Sequence, residues 1–144
     1  MTPEQYALFA RLHGHLGWLG LAVLLHPILL LSRGGALSRL GRLTVWLALA
    51  LITAPYAAGL LLYPTYRSAV KPALISSALP WAMAFETKEH LAFFTVVLTL
   101  SGGTAILLRG PDRLALALLS SAWLCGVTVG VLGVLIASHA HPGW

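Results

Sequence analysis

The sequence predicts an all-α integral membrane protein, a four-helix transmembrane bundle running up-down-up-down. Three observations carry this. Hydrophobic residues make up 58% of the 144 and charged residues 9%, against about 25% charged in soluble domains. So few charges cannot cover a water-exposed surface, and with a mean hydropathy of +0.86 the solvent for this chain is lipid. Four apolar runs also reach the roughly 20 residues that span a bilayer, and the breaks between them hold prolines, glycines and cations.

The elements follow in order. Thr2-Pro3-Glu4-Gln5 reads as a helix start, with Thr2 as cap, Pro3 at the first helical position and Gln5 closing a capping box. The first helix then spans about 6–31, kinked near its far end by Pro27 and stopped by Ser32-Arg33-Gly34-Gly35. Glu4 and Arg11 argue against a cleavable signal peptide. The second span, about 43–63, contains Pro55 and Gly59, which membrane helices tolerate. Pro64-Thr65-Tyr66-Arg67 ends it, and a connector of about 16 residues follows, holding Lys71-Pro72 and Leu79-Pro80-Trp81, with room for one interfacial helical turn. The third span covers about 84–108. Arg109-Gly110-Pro111-Asp112-Arg113 is a turn, and the fourth span covers about 114–138. Gly126, Gly130 and Gly133 on that span form a small-residue seam suited to close helix packing. The chain is one domain, 1–144, without internal repeats.

Four spans return both termini and the 64–82 connector to one side. The other side holds Arg33, Arg39, Arg42, Arg109 and Arg113, against Arg11, Arg67, Lys71 and Lys88 opposite. By the positive-inside rule this five-to-four balance predicts termini outside the cytoplasm, in a bacterial inner membrane. The net charge of +5 is spread over the junctions, which fits topology and anionic lipid rather than nucleic acid. Cys125 is the single cysteine, so no intrachain disulfide exists; it reads as a packed small residue.

Function is sought where polar groups enter the spans, because such groups are costly in lipid and usually face a partner or a site. Phe85-Glu86-Thr87-Lys88-Glu89-His90 opens the third span with two of the four acidic residues in the chain. Glu86 and His90, four apart, share a helix face. An even number of spans brings His13, His15, His90, His139 and His141 to the same membrane face. Two chemistries suit that set. A haem b needs two neutral imidazoles on different helices at equal depth; the candidates are His13, His15, His90 and His139, with Trp18, Phe93 and Phe94 as walls. His15 and His90 make the better pair for depth, provided the third helix begins near Pro80. Alternatively, a divalent Cu, Zn or Fe ion takes three or four of His13, His15, Glu86, His90, His139 and His141. The two His-x-His pairs diverge by about 200° on a helix and do not chelate there. His26 lies 11 residues beyond His15, about 16 Å deeper on nearly the same face, with no histidine partner at its depth. The plainer readings are that the carboxylates pair with Lys88, Arg67 or Arg11, and that the histidines and aromatics are interfacial side chains.

Four spans with His13 or His15, His90 and His139 at helix ends resemble the small membrane cytochromes b, the cytochrome b561-type and CopD-like groups. The resemblance implies haem iron moving electrons between a quinone or other membrane carrier and a redox partner protein. Because His26 has no partner, it does not extend to a second haem. A structural or assembly subunit, packing in an oligomer or larger membrane complex through the fourth-span glycines, is the remaining reading.

Overall fold

The computed structural model describes residues 2–34 and 37–139. It contains α1 (Pro3–Ser32), α2 (Arg39–Thr65), a π-helical turn (Tyr66–Val70), α3 (Lys71–Arg109) and α4 (Arg113–His139). All four α-helices are long and apolar enough to cross a membrane, and no strand occurs among the described residues. This is the expected all-α, multi-pass class.

Local chemistry sets the helix ends. The Thr2 hydroxyl accepts from the Gln5 backbone N–H while the Gln5 side chain accepts from the Thr2 N–H, a complete capping box. Ser38 caps α2 by accepting from Gly41 N–H. The Asp112 carboxylate accepts from Ala115 N–H at 2.7 Å at the start of α4, and the reversal before it needs the positive φ of Gly110, 83°.

Neighbours in sequence pack side by side: α1 on α2 and α3 on α4, with α1–α4 and α2–α3 contacts closing the square. Among the described residues α1 and α3 lie on a diagonal, with no backbone approach between them. The core is tiered along the axis. Leu24, Val45, Ala48, Ala105, Leu119 and Ala122 fill the half nearer the arginine-bearing turns, Leu21, Ile52 and Val96 the middle, and Tyr66, Val70, Leu74 and Ala82 the opposite end. Leucines such as Leu60, Leu61 and Leu108 stand exposed on the outside, as lipid contact requires.

The α1–α2 seam is built on a proline. Pro55 has no N–H, so the Leu51 carbonyl one turn earlier lacks its helical donor. Gly20 of α1 sits so close to that carbonyl that a Cβ would lie 2.7 Å from the Leu51 oxygen. One turn along α2, the Pro55 carbonyl accepts a hydrogen bond from His13 Nδ1 at 2.7 Å. α1 therefore approaches α2 closely at Leu51 and is tied to it at Pro55. The α4 glycines also work inside the chain: Gly126 lies under Leu21, and a Cβ on Gly130 would meet the Trp18 ring at 2.7 Å. Trp123 Nε1 donates to the Leu21 carbonyl at 3.1 Å across the same interface. Gly126 and Gly130 of the seam thus receive α1 side chains, whereas Gly133 meets only the Lys88 stem of α3.

The connector is helical throughout rather than largely irregular. Its prolines do not stop the helices because Pro72 falls in the first turn of α3, where a missing N–H is harmless. Pro80, inside α3, instead marks a corner. Lys71 and Glu86 form an ion pair, yet 15 residues of straight helix would hold them about 22 Å apart. The axis must turn sharply between them, and Pro80 is the helix-breaking residue in that stretch. The π-helical turn and residues 71–79 thus fold back as an arm against the start of the third span.

Gly20→Ala should cost about 1–3 kcal/mol, because the methyl group forces α1 away from the Leu51 carbonyl. Gly17→Ala, where nothing lies within 4 Å of the new Cβ, should be neutral or gain up to about 1 kcal/mol from helix propensity. Thermal unfolding of both variants in one detergent, followed by circular dichroism, separates them; equal melting temperatures would contradict the close approach.

Candidate functional site

Counting along each helix from the arginine-bearing turns gives a common height. His13 is 20 residues from Arg33, Gly59 20 from Arg39, Lys88 21 from Arg109 and Gly133 20 from Arg113. At 1.5 Å per residue each lies about 30 Å from that rim, which is the thickness of the hydrocarbon core. The contacts agree: the ring of His13 lies against Gly59, and the Lys88 stem against Gly133. The protein therefore carries two polar layers one hydrocarbon thickness apart. The first is the arginine rim, and the second holds lysine, histidine and glutamate.

The structure separates the histidines within this second layer. His13 is half-buried and bound to α2 through Pro55. His15 and His90 reach nearly equal heights, but both are exposed on diagonally placed helices, and each Nδ1 donates at 2.7 Å to a carbonyl of its own helix, Arg11 and Glu86 respectively. Because a carbonyl only accepts, the neutral form of each ring carries its lone pair on Nε2. His26 is exposed far from this layer. Thr44 Oγ1 already donates to the Gly41 carbonyl, so His26 Nδ1 donates to the Thr44 oxygen at 3.0 Å. The side chain of His139 and all of His141 lie outside the described residues. Among the described residues no three of His, Cys, Asp and Glu are grouped as metal ligands. Cys125 is free and half-buried.

What the fold does assemble is a layered cluster around Lys88. Tyr66 stacks on Phe85 with centroids 3.6 Å apart and planes 12° from parallel. The Lys88 ammonium lies 4.5 Å from the Phe85 centroid, necessarily over the face that Tyr66 leaves open. The residue is half-buried. Glu89 is in electrostatic reach of Lys88, Glu86, His90 and Lys71, and Lys88 is in reach of His13. Lys71 and Glu86 pair at the edge. Tyr6, Tyr63 and Trp81 pack around Tyr66 and its neighbours as an aromatic cap, where amphipathic rings belong at a membrane boundary.

Tyr66 has a particular status. The residue is 2% exposed, and its Oη is the one buried side-chain polar atom among the described residues without a hydrogen-bond partner. Leaving a buried hydroxyl unsatisfied costs about 1–3 kcal/mol. From the sequence, Phe85 and Lys88 are named in the stretch that opens the third span and Tyr66 at the end of the second, without the three being joined. The available signal was Lys88 itself, a lysine that counting from Arg109 sets level with His13. The stacking partner could not be read, because it arrives through the corner at Pro80.

No family model matches this chain, and neither does any curated protein or solved structure.

Tyr66→Phe should raise stability by about 1 kcal/mol, since it deletes the unmatched hydroxyl and keeps the stacked ring. Phe85→Ala should lower it by about 2–3 kcal/mol through lost packing. Reversible unfolding in mixed micelles measures both. A destabilised Tyr66→Phe would mean that the hydroxyl has a partner after all.

Proposed function

We propose that this multi-pass membrane protein binds the oxygen-bearing head of a lipid-soluble ligand in the Lys88 layer. A quinone is the class the site fits, and the reading extends to a redox role at that membrane face. The observation that carries it is the pairing of two hydrogen-bond donors around Phe85: the unmatched Tyr66 hydroxyl and the Lys88 ammonium over its ring. Both are answered by an acceptor oxygen, and neither by a hydrocarbon tail.

Charge selects among acceptors. Lys71 and Lys88 are offset by Glu86 and Glu89, so these four side chains together carry no net charge. A neutral carbonyl is favoured. The layer lies at the hydrocarbon edge, where the head of a membrane-dissolved carrier resides. With the arginine rim taken as cytoplasmic, the site and both termini face the outer side of a bacterial inner membrane.

A second reading, electron transfer through haem b, is favoured by His15 and His90. They are level, exposed, and each held by its own helix with Nε2 free, the atom that ligates iron when Nδ1 is hydrogen-bonded. Their exposed faces belong to diagonal helices, so this reading places the haem between copies of the chain or against a redox partner protein.

Titration of the purified protein with a short-chain benzoquinone, followed by tryptophan fluorescence, tests the first reading. Saturable quenching is expected, weakened about tenfold or more in Lys88→Met and in Tyr66→Phe, a loss of about 1.4 kcal/mol or greater. Quenching that is linear, or unchanged in both variants, rejects the site. Reduced-minus-oxidised spectra after haem supplementation test the second; absence of Soret and α-bands removes it.

A further inference from the structure

Two polar atoms face the hydrocarbon near the arginine rim. His26 and Trp46 are both exposed, and each lies seven residues from an arginine of that rim, Arg33 and Arg39 respectively. At 1.5 Å per residue both sit about 10 Å inside it, too deep for water to serve them. His26 Nδ1 donates to Thr44 Oγ1, so the neutral ring carries an acceptor lone pair on Nε2, whereas Trp46 Nε1 is a donor only. Neither atom has a partner among the described residues. Polar groups at such depth are costly and usually meet a neighbour.

The two flank one face of α2. Thr44, bonded to His26, marks the α1 side of that helix, and Leu49, against Gly103, marks the α3 side. Trp46 stands about 200° from Thr44 and about 60° from Leu49 around the axis, so it belongs to the α3 side. Between the flanks runs an exposed stripe, Leu43, Leu47, Ala50, Ala54, Ala57 and Leu61, spaced four and three in alternation. That is the 3.5-residue period on which two helices supercoil. Ala50 and Ala54 give it the small-residue spacing that lets membrane helices approach closely.

We propose that this face of α2 is the interface of a parallel homodimer, with a second copy of the chain related by a two-fold axis along the membrane normal. Such an axis keeps every residue at its own height and exchanges the flanks of the stripe. His26 Nε2 of each copy then accepts from Trp46 Nε1 of the other, so one donor and one acceptor make two identical hydrogen bonds. This complementarity selects a second copy, because the face carries both halves of the bond, on opposite edges and at one height. Arg39 and Arg42, near the end of the stripe, are exposed at the rim, where salt and anionic lipid limit their repulsion. The interface lies on the outside of the bundle and does not depend on what the Lys88 layer binds.

Disulfide trapping in lipid vesicles tests the face. With Cys125→Ala removing the native thiol, single cysteines are placed by Leu47→Cys, Ala50→Cys and Ala54→Cys, and by Val134→Cys as a control. Val134 is exposed on α4, diagonal to α2. Oxidation with copper–phenanthroline should give covalent dimers at the three α2 positions and few at Val134. A yield on α2 no higher than at Val134 overturns the interface and leaves the face to lipid or to a helix of another protein. Förster transfer between labelled copies, diluted with added lipid, then measures the dimer affinity. Trp46→Phe, which keeps an aromatic ring and deletes the N–H, should weaken it by about fivefold or more, the order that two interhelical hydrogen bonds supply. His26→Phe should do the same. The double variant should be no weaker than the weaker single one, because either change alone removes both symmetric bonds. Unchanged affinity in either single variant, or losses that multiply in the double one, overturn the pairing.

Discussion

A hydrocarbon slab about 30 Å thick constrains every other feature of this molecule. It requires backbone groups to be satisfied within helices, which explains why the chain is helical even where its prolines would end a soluble helix. It also requires ionisable side chains to gather at its two boundaries. The five arginines at one rim and the lysine, histidine and glutamate layer opposite are those boundaries written into the chain. Between them, among the described residues, short polar groups on α3 satisfy themselves along the helix and His26 is held by Thr44. Thr95 donates to the Leu91 carbonyl and Thr99 to the Thr95 carbonyl, both along α3.

Within that slab, close packing replaces the hydrophobic effect as the force between helices, because lipid tails are as apolar as leucine. The α1–α2 interface shows how a defect becomes a contact. Pro55 frees a carbonyl in α2, Gly20 lets α1 approach it, and seven residues earlier on the same α1 face His13 binds the next carbonyl along. His13 Nδ1 thus has a structural partner in α2. Of the α4 glycines, Gly126 and Gly130 are likewise spent on Leu21 and Trp18, while Gly133 meets only the Lys88 stem.

The fold was legible because hydropathy, helix caps and turn glycines are local signals: Thr2 with Gln5, and Gly110 before Asp112, act within a few residues. The height of the polar layer was legible too, since it follows from counting along helices; His15 and His90 do stand nearly level. Their facing was not. Whether a side chain at a given height points inward depends on helix rotation, and rotation is set by contacts such as Gly130 on Trp18 and Gly20 on Leu51. These join residues 112 and 31 positions apart. The Tyr66–Phe85 stack was hidden for another reason. It needs the chain to double back at Pro80, and a proline in a membrane segment is equally compatible with a mild kink.

Stability accounts for most of the second layer but not for the ammonium of Lys88. A cation at the centre of a bilayer costs about 2.5–3.5 kcal/mol on insertion scales, and less at the boundary, where the side chain can reach toward water. Its stacking on Phe85 returns about 0.5–2 kcal/mol, and nearby Glu89 adds to that. These contributions come near cancellation, so an apolar side chain of similar length against Gly133 would serve the fold as well. The same holds for the Tyr66 hydroxyl, for which a phenylalanine ring is the cheaper occupant. Two neighbouring positions that each hold a polar atom the fold does not need, on opposite sides of one aromatic ring and at one membrane boundary, are better explained by something they bind than by anything they support.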